Sequence, residues 1–90
     1  FVVGKEHDNY SKNLDLANKI SDLVNNKIPE LSKGITLKEG IGVNGIYNQD
    51  FSYNSILIEI GGVDNNIIEV SNTISILGEV LANYIKGANI

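Results

Sequence analysis

Ser55-Ile56-Leu57-Ile58-Glu59-Ile60, then Gly61-Gly62, then Val63-Asp64-Asn65-Asn66, is the stretch on which the architecture turns. Its first six residues form a nearly continuous β-branched and apolar run, the composition of a strand covered on both faces. Gly61-Gly62 ends that run with backbone freedom no other pair supplies. Asn66 with Glu69 three residues on is a start signal resembling a capping box, with Asn in place of Ser or Thr. The positions Ile67, Val70, Ile74, Leu77, Leu81 and Ile85 then recur at helical spacing, and Lys86-Gly87 closes the pattern. The stretch therefore reads as strand, glycine turn, long helix.

Working outward, Phe1-Val2-Val3-Gly4 is an apolar run with no polar lead-in, which reads as a strand entered part-way along and suggests a truncated piece. Lys5 to Asn9 is the loop at its C-terminal end. From Tyr10, the residues Leu14, Ala17, Ile20, Leu23 and Val24 mark an amphipathic helix ending near Asn25-Asn26, with Asn9 or Ser11 able to cap it. Pro29 breaks the pattern, and Ser32-Lys33-Gly34 is turn-like. Ile35 to Lys38 alternates weakly and reads as a short strand. Gly40 to Asn54 is rich in Gly, Asn and Tyr without periodicity, and so long a connection in a small domain is more often functional than idle. The order strand, helix, strand, loop, strand, helix makes the chain an α/β unit, with residues 1–90 as one domain and no internal repeat.

At 90 residues, 42% hydrophobic and 20% charged, the chain has the balance of one globular unit. The net charge is −4 and the seven cations are lone lysines with no arginine, which disfavours nucleic acid or an anionic membrane as partner. No cysteine is present, which excludes a disulfide framework and thiolate chemistry. No run approaches the roughly 18 apolar residues of a membrane span, and no signal segment is seen, so any anchor or export signal is expected outside these residues.

Glu59 is the residue that chemistry singles out. A carboxylate near the C-terminal end of a strand built for burial sits where open α/β sheets bind ligands. Burial of a carboxylate can place it where general acid/base work is possible. A strand-end Glu turned to solvent or paired with a lysine is an equal alternative. Tyr47-Asn48-Gln49-Asp50 offers hydrogen-bonding groups just before that strand, or is simply a polar turn. Asp64, Asn65 and Asn66 are read as the structural lead-in to the helix.

Two further patterns are set aside. Gly40, Gly42 and Gly45 match G-x-G-x-x-G, but the residues after Gly45 carry no helical stripe, so a flexible loop accounts for them better than a dinucleotide site. Glu6-His7-Asp8 contains the one histidine, yet adjacent residues rarely converge on one ion and a catalytic zinc usually takes three protein ligands. A solvated loop is the preferred reading there.

Five segments together resemble the C-terminal part of the stage II sporulation protein P family: Phe1-Val2-Val3-Gly4; Asn9-Tyr10 with Asn13-Leu14; Pro29-Glu30-Leu31-Ser32-Lys33-Gly34-Ile35; Tyr47-Asn48-Gln49-Asp50; and Leu57 through Asn65. The last two carry most of the specificity. The resemblance implies a piece of a three-layer sheet-and-helix domain similar to zinc-dependent N-acetylmuramoyl-L-alanine amidases. It implies cleavage of peptidoglycan, both between glycan and stem peptide and at peptide cross-links, during forespore engulfment. Glu59 then matches the glutamate that assists a zinc-bound water, and Asn48, Gln49 and Asp50 are the substrate-facing loop. The family's zinc ligands lie N-terminal to these residues, so the chain alone is expected to hold no zinc and to be inactive. Ile46 and Phe51 depart from the family's usual residues around that loop.

The same resemblance implies a membrane-anchored, extracytoplasmic protein between mother cell and forespore. Its implied partners are peptidoglycan and other stage II sporulation proteins, including a lytic transglycosylase. An open edge on the first strand suggests self-association. The competing readings are a non-catalytic module that binds cell wall or a partner protein and, more remotely, a nucleotide-binding piece.

Overall fold

The computed structural model describes residues 1–40, 45–47, 49 and 54–87. Within them the chain runs β1 (Val2–Gly4), α1 (Tyr10–Lys27), β2 (Thr36–Lys38) and α2 (Ile67–Ile85), a mixed α/β unit.

β1 and β2 pair in parallel with Val2 opposite Thr36, Val3 opposite Leu37 and Gly4 opposite Lys38, joined through α1 as a parallel pair requires. All three residues of β1 are buried, whereas Thr36 and Leu37 of β2 are exposed.

Helix α1 buries the stripe Asn13, Ala17, Ile20, Ser21, Leu23 and Val24. Ile20, Leu23 and Val24 meet Val80 of α2 in the core, with Phe1, Leu16, Leu31, Ile56, Leu77 and Leu81 packed around them. Full burial of one such side chain contributes about 1.5–3 kcal/mol, so this cluster is what joins the two helices. Lys27 on α1 and Glu79 on α2 add an ion pair at 2.8 Å on the exposed side, which contributes at most about 1 kcal/mol.

The segment after α1 is held by turns and serines. The N–H of Leu31 donates to the carbonyl of Ile28 at 3.2 Å, closing a turn with Pro29 and Glu30 at its centre. Glu30 takes a φ of 65°, the left-handed value that the third position of a type II turn requires. Ser32 is tied back to α1 through the Asn25 side chain (2.7 Å) and the Ser21 hydroxyl (2.6 Å).

Three expectations are corrected. Ser55 to Ile60 forms no strand: it makes a single antiparallel bridge, Leu57 to Val2, and Glu59 and Ile60 are exposed. Asn9 precedes α1, but its side chain does not cap the helix; its amide donates instead to the carbonyl of Gln49 at 3.4 Å. Finally, α2 has the expected span, but Ile67, Ile74 and Ile85 are exposed while Val80 is fully buried. The face turned to α1 is therefore rotated away from part of the apolar stripe.

The start of α2 is as read. The Asn66 side chain accepts from the Glu69 N–H and the Glu69 carboxylate accepts from the Asn66 N–H, both at 2.9 Å. This reciprocal pair satisfies two donors that a helix start otherwise leaves unpaired.

Candidate functional site

Glu59 lies two residues beyond the bridge at Leu57, where the chain leaves β1 and heads for the turn at Gly61-Gly62. Gly61 has a φ of +83°, a conformation that favours glycine. A side chain there would also press on Val70 at 2.9 Å. The turn closes with the Asn65 N–H donating to the Gly62 carbonyl at 3.0 Å, which delivers Asn66 to its capping position.

This geometry sets Glu59 on the wall of a cleft of about 430 Å³ between residues 30–33, the glycine turn and the first half of α2. Its floor is apolar, with Val24, Ile58, Val70 and Leu77; its polar groups include Glu30, Lys33, Glu59, Asn65 and Glu69. Glu69 is engaged in the helix cap. Glu59 is exposed, so the burial expected of it is absent. What the structure offers is a solvent-reachable carboxylate beside an apolar floor.

The expected loop divides. Asn48 and Asp50 fall outside the described residues. Gln49 is fully buried; its side-chain Oε1 accepts from the Gly4 N–H and its Nε2 donates to the Val2 carbonyl, each at 2.8 Å. The preceding turn is closed by the Gln49 N–H donating to the Ile46 carbonyl at 2.9 Å, with Tyr47 at a φ of 54°. Left-handed backbone in a residue other than glycine costs of order 1–2 kcal/mol and persists only where surrounding contacts enforce it.

Gly4 and Gly45 explain how the loop sits so close. The Glu6 N–H donates to the Gly45 carbonyl at 3.0 Å, and a side chain on Gly4 would land on that same carbonyl. Gly40 is attached in turn, its N–H donating to the Glu6 carboxylate at 3.0 Å. Gly45 is thus a close-packing residue. Gly42 of the glycine pattern lies outside the described residues.

His7 lines a second cleft of about 380 Å³ with Glu6, Asp8, Asn9 and Ile46. Its Nδ1 accepts from the Asn9 N–H at 3.2 Å, and its Nε2 is buried without a partner among the described residues. Among the described residues no group of three His, Cys, Asp or Glu side chains could hold a metal ion. A zinc centre therefore does not fit the residues seen here.

Sequence reading missed the buried amide of Asn13. It is fully buried on α1, and its Nδ2 donates to the Ser55 carbonyl at 2.9 Å, fixing the start of the segment that leads to Glu59. The signal was there: Asn13 falls on the same helical stripe as Ala17, Ile20 and Val24. Glu59 and Gln49 do not meet in one cleft; Val2, bonded to both Leu57 and Gln49, is what relates them.

A parallel pair covered by a helix, with a carboxylate where the chain leaves the sheet, defines a piece of an α/β domain with a cleft at its edge. The chain belongs to the stage II sporulation protein P family, whose model matches residues 1–82, and it is thereby a sporulation protein. It is 39% identical over 82 residues to stage II sporulation protein P of Bacillus subtilis (strain 168), covering 91% of this chain. The chain spans only 20% of the length of that relative. No solved structure matches it significantly. Among the described residues no helix is long and apolar enough to cross a membrane.

Proposed function

We propose that the chain is part of a peptidoglycan hydrolase acting in forespore engulfment, an N-acetylmuramoyl-L-alanine amidase that also cleaves peptide cross-links. The observation that carries this reading is family membership over residues 1–82, with Glu59 exposed on the wall of a cleft. In this reading Glu59 accepts a proton from the attacking water and returns it to the departing amine, a role that contributes about 10²–10⁴-fold. In this reading Asn48 and Asp50 supply the substrate-facing side, while the buried Gln49 does not touch substrate.

Zinc, which the reading assigns to the longer protein, takes its ligands from elsewhere in that protein, and the chain by itself is inactive. The longer protein acts outside the cytoplasm, in the space between mother cell and forespore. Its partners are peptidoglycan and other stage II sporulation proteins, a lytic transglycosylase among them.

The test is digestion of purified peptidoglycan by the full-length protein, with products followed by mass spectrometry and by titration of newly formed amino groups. Cleavage of the amide must release stem peptides carrying a new amino terminus. Binding of the wall with no new amino groups would instead establish a non-catalytic wall-binding module.

A further inference from the structure

The backbone of a strand presents its hydrogen-bonding groups alternately to either side. In β1, the Phe1 carbonyl accepts from the Thr36 N–H at 2.8 Å and the Lys5 N–H donates to the Lys38 carbonyl at 2.9 Å, both on the β2 side. Val2 and Gly4 face the other way. There the Val2 N–H donates to the Leu57 carbonyl at 2.9 Å, and the next two groups along the edge, the Val2 carbonyl and the Gly4 N–H, are both taken by the side chain of Gln49.

From this we infer that Gln49 is a positioning residue: its amide takes the place of a third strand on the second edge of β1, fixing the Gly45–Gln49 turn relative to the segment that carries Glu59. A primary amide matches the donor and acceptor of one peptide unit, so it can fill a strand edge without the chain running alongside. Its full burial excludes direct contact with a polymeric substrate. Both of its bonds are short, and replacing either group leaves a buried backbone atom unpaired. The left-handed Tyr47 and the 3.4 Å bond from Asn9 to the Gln49 carbonyl show a turn held against its own preference by this anchorage.

The coupling passes through Val2, whose carbonyl holds Gln49 and whose N–H holds Leu57, two residues before Glu59. For its effect on activity the inference rests on the hydrolase reading above; its structural half does not. In the full-length protein, Gln49→Ala is expected to speed hydrogen exchange of the Gly4 amide by about 10- to 100-fold, since two buried bonds are lost. It should lower kcat for peptidoglycan while KM holds within about twofold, as for an interaction that aligns the transition state rather than binding the ground state.

Gln49→Glu keeps the acceptor for Gly4 and, when ionised, loses the donor for Val2 and buries a charge against its carbonyl. It should leave Gly4 more protected than the alanine variant and still lower kcat. If the alanine variant fails to fold, the Glu variant carries the same kcat and KM test. Unchanged Gly4 exchange in Gln49→Ala, or a raised KM at unchanged kcat in either variant, would overturn the inference. If the wild-type protein cleaves nothing, the hydrolase reading falls and Gly4 exchange alone decides the role of Gln49.

Discussion

Gln49 donates from its side-chain amide to the carbonyl of Val2 at 2.8 Å, on the edge of β1 opposite β2. That contact occupies part of the edge on which self-association was expected: both outward-facing groups of Val2 and the Gly4 N–H have partners. Occupied positions are no template for another strand.

The same edge tolerates no added bulk. Gly4→Ala puts a methyl group onto the Gly45 carbonyl, and backbone cannot swing aside as a long side chain does. Overpacking of this kind costs about 1–3 kcal/mol. Urea unfolding of the variant should show a loss in that range, with the Gly45–Gln49 turn the first region to gain hydrogen exchange.

Asn13 anchors the approach to Glu59 from the other side. In Asn13→Ala the Ser55 carbonyl loses its donor, which costs about 1–3 kcal/mol for a buried group. Asn13→Asp, which removes the N–H donor and adds a buried negative charge, should lose at least as much. Equal stability of both variants and the wild type would mean that the 2.9 Å bond has no role in holding the segment.

At the start of α2, Asn66→Ala removes one arm of the capping box and should cost about 1 kcal/mol. Asn66→Ser keeps an acceptor and should recover most of it. Thermal unfolding of the two variants side by side separates the cap from any general effect of the exposed turn.

The two faces of α2 should respond differently. Val80 is fully buried against α1 and Ile74 is about half exposed, at 53%. Val80→Ala is expected to cost about 2–3 kcal/mol through lost burial and a cavity, whereas Ile74→Gln should change stability by under about 1 kcal/mol. A large loss at Ile74 would show that this face packs against something.

The helices were legible because their signals are local. The spacing of Ala17, Ile20 and Val24 and the pairing of Asn66 with Glu69 are complete within a few turns of chain. The strand over Ser55–Ile60 was not, because a strand exists only where a neighbour offers a ladder. Here the neighbouring edge has room for Leu57 alone, since Gln49 takes the next two groups. No spacing rule reveals that a side chain will occupy a strand's place. The same blindness hid the burial of Gln49 and exposed Glu59, whose expected burial followed from the strand. The position of Glu59 after the sheet and before the Gly61-Gly62 turn was readable; its surroundings depend on how residues 30–33 fold back, which no local pattern encodes.

Whether Glu59 carries the proton in peptidoglycan cleavage is read most directly from the rate of stem-peptide release by full-length wild-type protein and by Glu59→Gln. Glutamine keeps the size and polarity of the side chain and removes its capacity to take a proton. A fall of at least about a hundredfold is expected, with the helical circular dichroism and the unfolding midpoint unchanged. Release at the wild-type rate by a folded Glu59→Gln protein would contradict that role.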